Sequence, residues 1–145
     1  MRIADTLALQ KAGEWTAFAV VDRESGRTIG STCYLDVPLF KESVEIGATY
    51  YGRAHWGTGV NTECKLLLFT CAFEDLGFDR VQLKTDSNNE RSQNAIARLG
   101  CTREGTLRHQ QRRRDGSWRD TVYYSLLAQE WPEAKARMVE RLSRG

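Results

Sequence analysis

The chain has 145 residues, 41% of them hydrophobic and 28% charged, which suits one soluble globular domain with its own core. A formal net charge of +2 is too small to imply a polyanionic partner, and no apolar run approaches the roughly 18 residues of a membrane span. The N-terminus carries no apolar signal-peptide core. The four cysteines, Cys33, Cys64, Cys71 and Cys101, lack zinc-site spacing, so free thiols in a cytoplasmic protein with no metal are expected.

Residues 4–12 read as the tail of a helix stopped by Gly13. Trp15 to Val21 is a nearly all-apolar strand, Ser25-Gly26 marks a hairpin turn, and Thr28 to Leu35 is the returning strand. Val37 to Ser43 is a loop, and Val44 to Tyr51 is a third, alternating strand. A helix follows over Asn61 to Leu76. Its predicted buried stripe is Leu66, Phe69, Phe73 and Leu76, widened by Leu67, Leu68 and Ala72, with Gly77 as the stop.

Arg80 to Thr85 is a short strand, Asp86-Ser87-Asn88-Asn89 a capping turn, and Arg91 to Leu99 a helix ended by Gly100. Thr102 to Arg112 and Arg119 to Leu127 form a hairpin about Arg114-Asp115-Gly116-Ser117. Trp131-Pro132 opens a last amphipathic helix with Ala134, Met138, Val139 and Leu142. The order predicts an α/β (α+β) domain. Three antiparallel strands lead into a right-handed crossover from strand 44–51 through helix 61–76 to the parallel strand 80–85.

The stretch Tyr50 to Glu63 carries the chemistry. A turn with Gly57 and Gly59 joins a strand to a helix, so backbone amides and the positive helix end can face a phosphate. A Walker A loop is excluded because no Gly-Lys-Ser/Thr occurs, and a dinucleotide fingerprint lacks its third glycine near Thr62.

Three segments carry a resemblance to a known family. They are Val44-Glu45-Ile46-Gly47 through Asn61-Thr62-Glu63, then Thr85-Asp86-Ser87-Asn88-Asn89-Glu90-Arg91-Ser92, then Ala95-Ile96-Ala97-Arg98-Leu99-Gly100 with Glu104-Gly105. Arg119-Asp120, Ser125-Leu126-Leu127 and Glu130-Trp131-Pro132 add to it. Over about 14–142 the chain resembles the GNAT acetyltransferases, in the branch of the ribosomal-protein N-terminal acetyltransferases. The resemblance implies a GNAT-like mixed, mostly antiparallel sheet with a central parallel pair, flanked by helices. It also implies acetyl-coenzyme A as donor and a small-molecule or peptide amine as acceptor.

By the same resemblance, the coenzyme A diphosphate would lie on main-chain N–H of Trp56, Gly57, Thr58, Gly59, Val60, Asn61 and Thr62. The pantetheine arm would pair with Thr49, Tyr50 and Tyr51, and Asn89 and Ser92 match positions near the sulfur. The family motif is Q/R-x-x-G-x-G/A; Trp56 stands where Gln or Arg is usual, and Asn61 where Gly or Ala is usual. The Asn61 side chain either obstructs the approach or donates another hydrogen bond. The tyrosine that many members use to protonate the thiolate is matched by Ile96, which moves that role to Ser92.

Acetyl transfer needs a neutral amine, a polarised thioester carbonyl and a proton for the leaving thiolate. Backbone N–H near Tyr50 or Tyr51 is the expected polariser. Glu45 is the candidate base, sharing a strand face with Gly47 and Thr49, opposite Val44, Ile46 and Ala48. His55 and His109 are further candidate bases, with a surface role the competing reading for each. The arginines at 103, 108, 112, 113, 114 and 119, with Trp118 among them, read as a solvated hairpin in preference to an RNA contact.

Similar proteins usually begin with a further strand and a helix pair, so 1–145 is expected to be one domain lacking most of that piece. Strand 15–21 would then be a sheet edge, which predicts a homodimer, with a misplaced start codon the alternative. An active acetyltransferase and a non-catalytic coenzyme A- or RNA-binding module on the same fold are the two competing functions.

Overall fold

The computed structural model describes residues 15–35 and 42–145. The expected helix tail over 4–12, its stop at Gly13 and most of the loop from Val37 lie outside the described residues. The strands are β1 (Trp15–Val21), β2 (Thr28–Leu35), β3 (Ser43–Tyr51), β4 (Arg80–Asp86), β5 (Thr102–Arg112) and β6 (Trp118–Leu127). The helices are α1 (Val60–Thr70), α2 (Glu90–Arg98) and α3 (Trp131–Ser143). The described strands form one sheet in the order β1-β2-β3-β4-β6-β5, antiparallel except for the β3–β4 pair.

The core follows from alternation in the central strands. β4 buries Val81, Leu83 and Thr85 on one face, β3 adds Val44 and Ile46, and β6 adds Val122, Tyr124 and Leu126. Against them α1 and the turn after it pack Leu68, Phe69, Ala72 and Phe73, α2 packs Ile96, and α3 packs Trp131, Ala134 and Met138. Phe69, Phe73 and Trp131 form an aromatic cluster with ring centroids 5.5 to 6.3 Å apart. The Trp131 indole donates to Glu74 Oε2 at 2.8 Å, so the buried ring keeps its N–H satisfied.

Two helix faces differ from the sequence expectation. The α-helical part of α1 ends at Thr70 and continues as a wide π turn over Cys71–Asp75. There Leu76 N–H donates to Cys71 O at 2.9 Å, and the extra residue in that turn swings Leu76 outward to 47% exposure. Leu67 is also exposed, because the buried stripe runs through Lys65, Leu68, Phe69 and Ala72, with Leu66 half-buried at its border against the core. In α3 the buried residues step by three and four from Trp131 to Ala134 to Met138. Val139 lies a further 100° round and is exposed.

Candidate active site

β3 and β4 share only three parallel rungs, Ser43–Arg80, Val44–Val81 and Glu45–Gln82. Both strands run on, β3 to Tyr51 and β4 to Asp86, while β4 stays paired with β6 as far as Asp86–Thr121. A wedge therefore opens beyond Glu45, and along it the β4-facing backbone edge of Ile46 to Tyr51 has no strand partner among the described residues. The cause is a bulge. Ala48 has φ 50, and the pairing with β2 steps from Cys33–Gly47 to Ser31–Tyr50. The bulge also breaks the simple alternation expected for β3. Thr49 turns to the helix side, where its hydroxyl meets Thr32 Oγ1 at 2.9 Å, and no longer shares the face of Glu45 and Gly47.

At the open end of the wedge, β3 passes through Gly52 and a 3₁₀ turn, Arg53–His55, into the glycine turn and α1. Gly57 has φ +71, a conformation that side-chain-bearing residues rarely adopt. Gly59 caps the helix with an ordinary φ of −69, and a Cβ there would sit 3.3 Å from Leu142 of α3, so its smallness serves helix packing. The first backbone bond into α1 is Glu63 N to Gly59 O at 2.9 Å. The amides of Val60, Asn61 and Thr62 precede it, and Val60 N is held only by Thr58 Oγ1 at 3.3 Å. Among the described residues, the amides of Gly57, Thr58 and Gly59 also have no backbone acceptor. This arrangement can take an anion.

Trp56 anchors the turn from its side. Its indole donates to Tyr51 O at 2.9 Å, and the Arg91 and Arg53 guanidiniums lie 4.3 and 5.7 Å from its ring centroid. The expected Trp56 amide donor is not free, since its backbone N–H is spent on Arg53 O at 3.1 Å; Trp56 instead links the turn to the start of α2 through its side chain. Tyr50 is 65% exposed, so it is not a core residue. The Tyr51 hydroxyl donates to Asn61 Oδ1 at 3.0 Å. Asn61 thus turns its side-chain oxygen toward Tyr51 and Lys65.

Glu45 lies at the vertex of the wedge, on the face away from the helices. Its carboxylate is 3.2 Å from Lys84 Nζ, two residues along β4 from its rung partner, with angles too poor for a hydrogen bond. Glu45 Oε1 is buried and, beside the Lys84 ion pair, has no hydrogen-bond donor among the described residues. Asn89 caps α2 by accepting Ser92 N–H at 3.1 Å, which fixes Ser92 in the first turn beside Arg91. Ile96 is 6% exposed in the core and cannot donate a proton.

The arginine hairpin is largely committed to its own structure. Arg113 grips Asp86 with Nε at 2.7 Å and Nη2 at 2.9 Å, Arg112 stacks on Trp118 at 3.8 Å, and Arg119 donates to Thr121. His109 occupies a bulge of β5 at φ 48, stacked on Trp118 at 5.1 Å, with its backbone N–H on Asp120 Oδ1 at 2.8 Å. His55 is held in the 3₁₀ turn, its N–H on Gly52 O and its carbonyl taken by Thr58 Oγ1. Among the described residues neither ring makes a hydrogen bond to a carboxylate or hydroxyl, although His55 acts electrostatically on the Asp22 carboxylate.

Arg113, with the Asn88 amide, holds the Asp86 carboxyl down from 3.8 to about 2. A carboxylate depressed in the fold adds stability that is present above pH about 4 and lost as pH falls toward about 2. Asp86→Asn should therefore flatten that part of the acid limb, measured as thermal unfolding across about pH 2 to 5. Glu104, held at about 2 chiefly by Arg80, keeps a residual slope.

Comparison with known proteins agrees with this geometry. The family model for the acetyltransferase (GNAT) domain matches residues 1–102. The N-acetyltransferase p20 of Bacillus licheniformis is 28% identical over 123 residues, 85% of this chain and 68% of its own length. YdaF of Bacillus subtilis, named for ribosomal N-acetyl transfer, is 38% identical over 115 residues, 73% of this chain and 59% of its own. A crystal structure from T. thermophilus classed as an acetyltransferase superposes with TM-score 0.86 at 38% identity, over 96% of this chain and 72% of that one. Mycobacterium smegmatis RimJ, solved with CoA-disulfide, shares the fold at TM-score 0.80 and 23% identity, over 95% of this chain and 65% of that one. The chain belongs to the GNAT acetyltransferase family.

Proposed function

We propose that this acetyltransferase moves an acetyl group from acetyl-coenzyme A to the amine of a peptide N-terminus or small molecule by direct attack. The observation that carries the reading is the wedge between β3 and β4, with open amides at one end and Glu45 at the other. Ile46 to Tyr51 covers at most about 17 Å along β3, bulge included, a length on the scale of a pantetheine arm. The complex of M. smegmatis RimJ with CoA-disulfide supports coenzyme A as the ligand class for this fold.

In this reading the amides of Gly57 to Thr62 hold the diphosphate, and the unpaired edge of Thr49 to Tyr51 hydrogen-bonds the arm. The thioester supplies the activated acetyl group. A backbone N–H of β3 just past the bulge, at Thr49 to Tyr51, then polarises its carbonyl oxygen. Glu45 takes the amine proton directly or through water, and the Ser92 hydroxyl serves the leaving sulfur.

Glu45→Gln removes the proton acceptor and keeps the shape. Turnover with a working amine should fall roughly 100-fold or more, with acetyl-coenzyme A affinity unchanged. A fall of less than about threefold would remove Glu45 from the role. Thermal shift with acetyl-coenzyme A, run beside thiol release on an amine panel, tests the function itself. Stabilisation with turnover is expected; stabilisation without turnover on any amine would support the non-catalytic module.

A further inference from the structure

The polar residues of the α1 stripe leave one buried charge unused. Lys65 is 5% exposed on the helix face against β3. Its Nζ reaches Thr49 Oγ1 and Asn61 Oδ1, each at a long 3.4 Å. Among the described residues it forms no ion pair. The titratable groups around it are thiols and a phenol: Cys64 on its own helix, Cys101 at the entry to β5, and Tyr51 on β3, which acts on Cys64. The carboxylates Glu63 and Glu130 act on those thiols, Glu63 on Cys64 and Glu130 on Cys101.

A buried ammonium without a carboxylate is costly, and a fold ordinarily replaces it with an apolar side chain. Its Nζ bridges, from the protein side, two segments that border the wedge, the β3 bulge at Thr49 and the first turn of α1 at Asn61. We propose that Lys65 is the buried counter-charge of the coenzyme site, left unpaired by the protein so that the ligand's diphosphate completes it. Binding of acetyl-coenzyme A then holds Lys65 in its protonated form, and the Lys65 amine takes up a proton from solution as the ligand binds. Burial already brings the free lysine down to about 8, so it is partly neutral in mildly alkaline solution and has a proton to gain.

This rests on the proposed coenzyme site, and one experiment separates the two. Acetyl-coenzyme A is titrated calorimetrically into the whole chain at pH about 8, in buffers of different ionisation enthalpy. The expected result is an uptake of roughly 0.3 to 0.5 proton per site. Lys65→Met should abolish the uptake and weaken binding at pH 7, while its thermal stability without ligand stays equal to or above the wild type. A lysine with a merely structural role would instead lower that stability. Binding heat without buffer dependence overturns the proposal, and so does uptake that persists in Lys65→Met. Should that variant fold poorly, Lys65→Gln provides the same comparison, and the wild-type slope remains decisive. No binding heat at all would overturn the coenzyme site itself.

Discussion

Val60→Pro should weaken acetyl-coenzyme A binding by roughly 10- to 100-fold and leave the fold intact. Val60 is the first residue of α1, where proline's fixed φ suits the helix and its missing N–H breaks no intrahelical bond. Within the protein, the substitution gives up the 3.3 Å approach to Thr58 Oγ1 and the packing of a half-buried valine side chain that the proline ring partly replaces. What disappears is a donor to a charged oxygen, worth about 1.5–3 kcal/mol. The predicted signature is a weaker dissociation constant by calorimetry with an unchanged helical spectrum and melting temperature. Unchanged affinity would mean that the first-turn amides do not touch the ligand.

The largest stability effect is expected at Phe69. It is fully buried and touches Phe73 and Trp131, so it joins α1 to α3 across the sheet. Phe69→Ala removes this ring packing and leaves a cavity that three packed elements cannot easily close. The expected cost is about 3–5 kcal/mol, a large part of the 5–15 kcal/mol typical of a domain. Denaturant unfolding should show the midpoint falling at constant slope. A loss below about 1.5 kcal/mol would mean that the cluster relaxes around the gap.

Much of this was legible in the residues because local signals and tertiary packing agree. Strand alternation in Val44 to Gly47 and Arg80 to Thr85, the Ser25-Gly26 and Asp115-Gly116 turns and the Asn89 cap all appear where expected. The bulge at Ala48 was not legible. No residue type announces a positive φ at alanine, and the bulge moved Thr49 to the helix side. The π turn after Thr70 likewise has no sequence mark and displaced Leu76 from the stripe.

Within the site, the glycine turn was readable because its chemistry is backbone chemistry tied to spacing. Lys65 was missed although a signal existed: Asn61 and Lys65 stand four apart, in line with Leu68, Phe69 and Ala72. Two polar residues on a buried stripe are a reason to look for a site. The Lys84 partner of Glu45 was hidden because it depends on the parallel register, which fixes Glu45 opposite Gln82. The basic hairpin misleads in sequence, since Arg112, Arg113 and Arg119 are held by its own folding.

The central claim is that the amides from Gly57 to Thr62 hold the coenzyme diphosphate and the open edge of β3 takes its arm. Amide-resolved NMR during titration with acetyl-coenzyme A tests it most directly. The account predicts the largest shifts at Gly57 to Thr62, continuing along Thr49 to Tyr51 and reaching Ser92. Saturable binding with those amides unmoved, and shifts confined to the 107–120 hairpin, would contradict it.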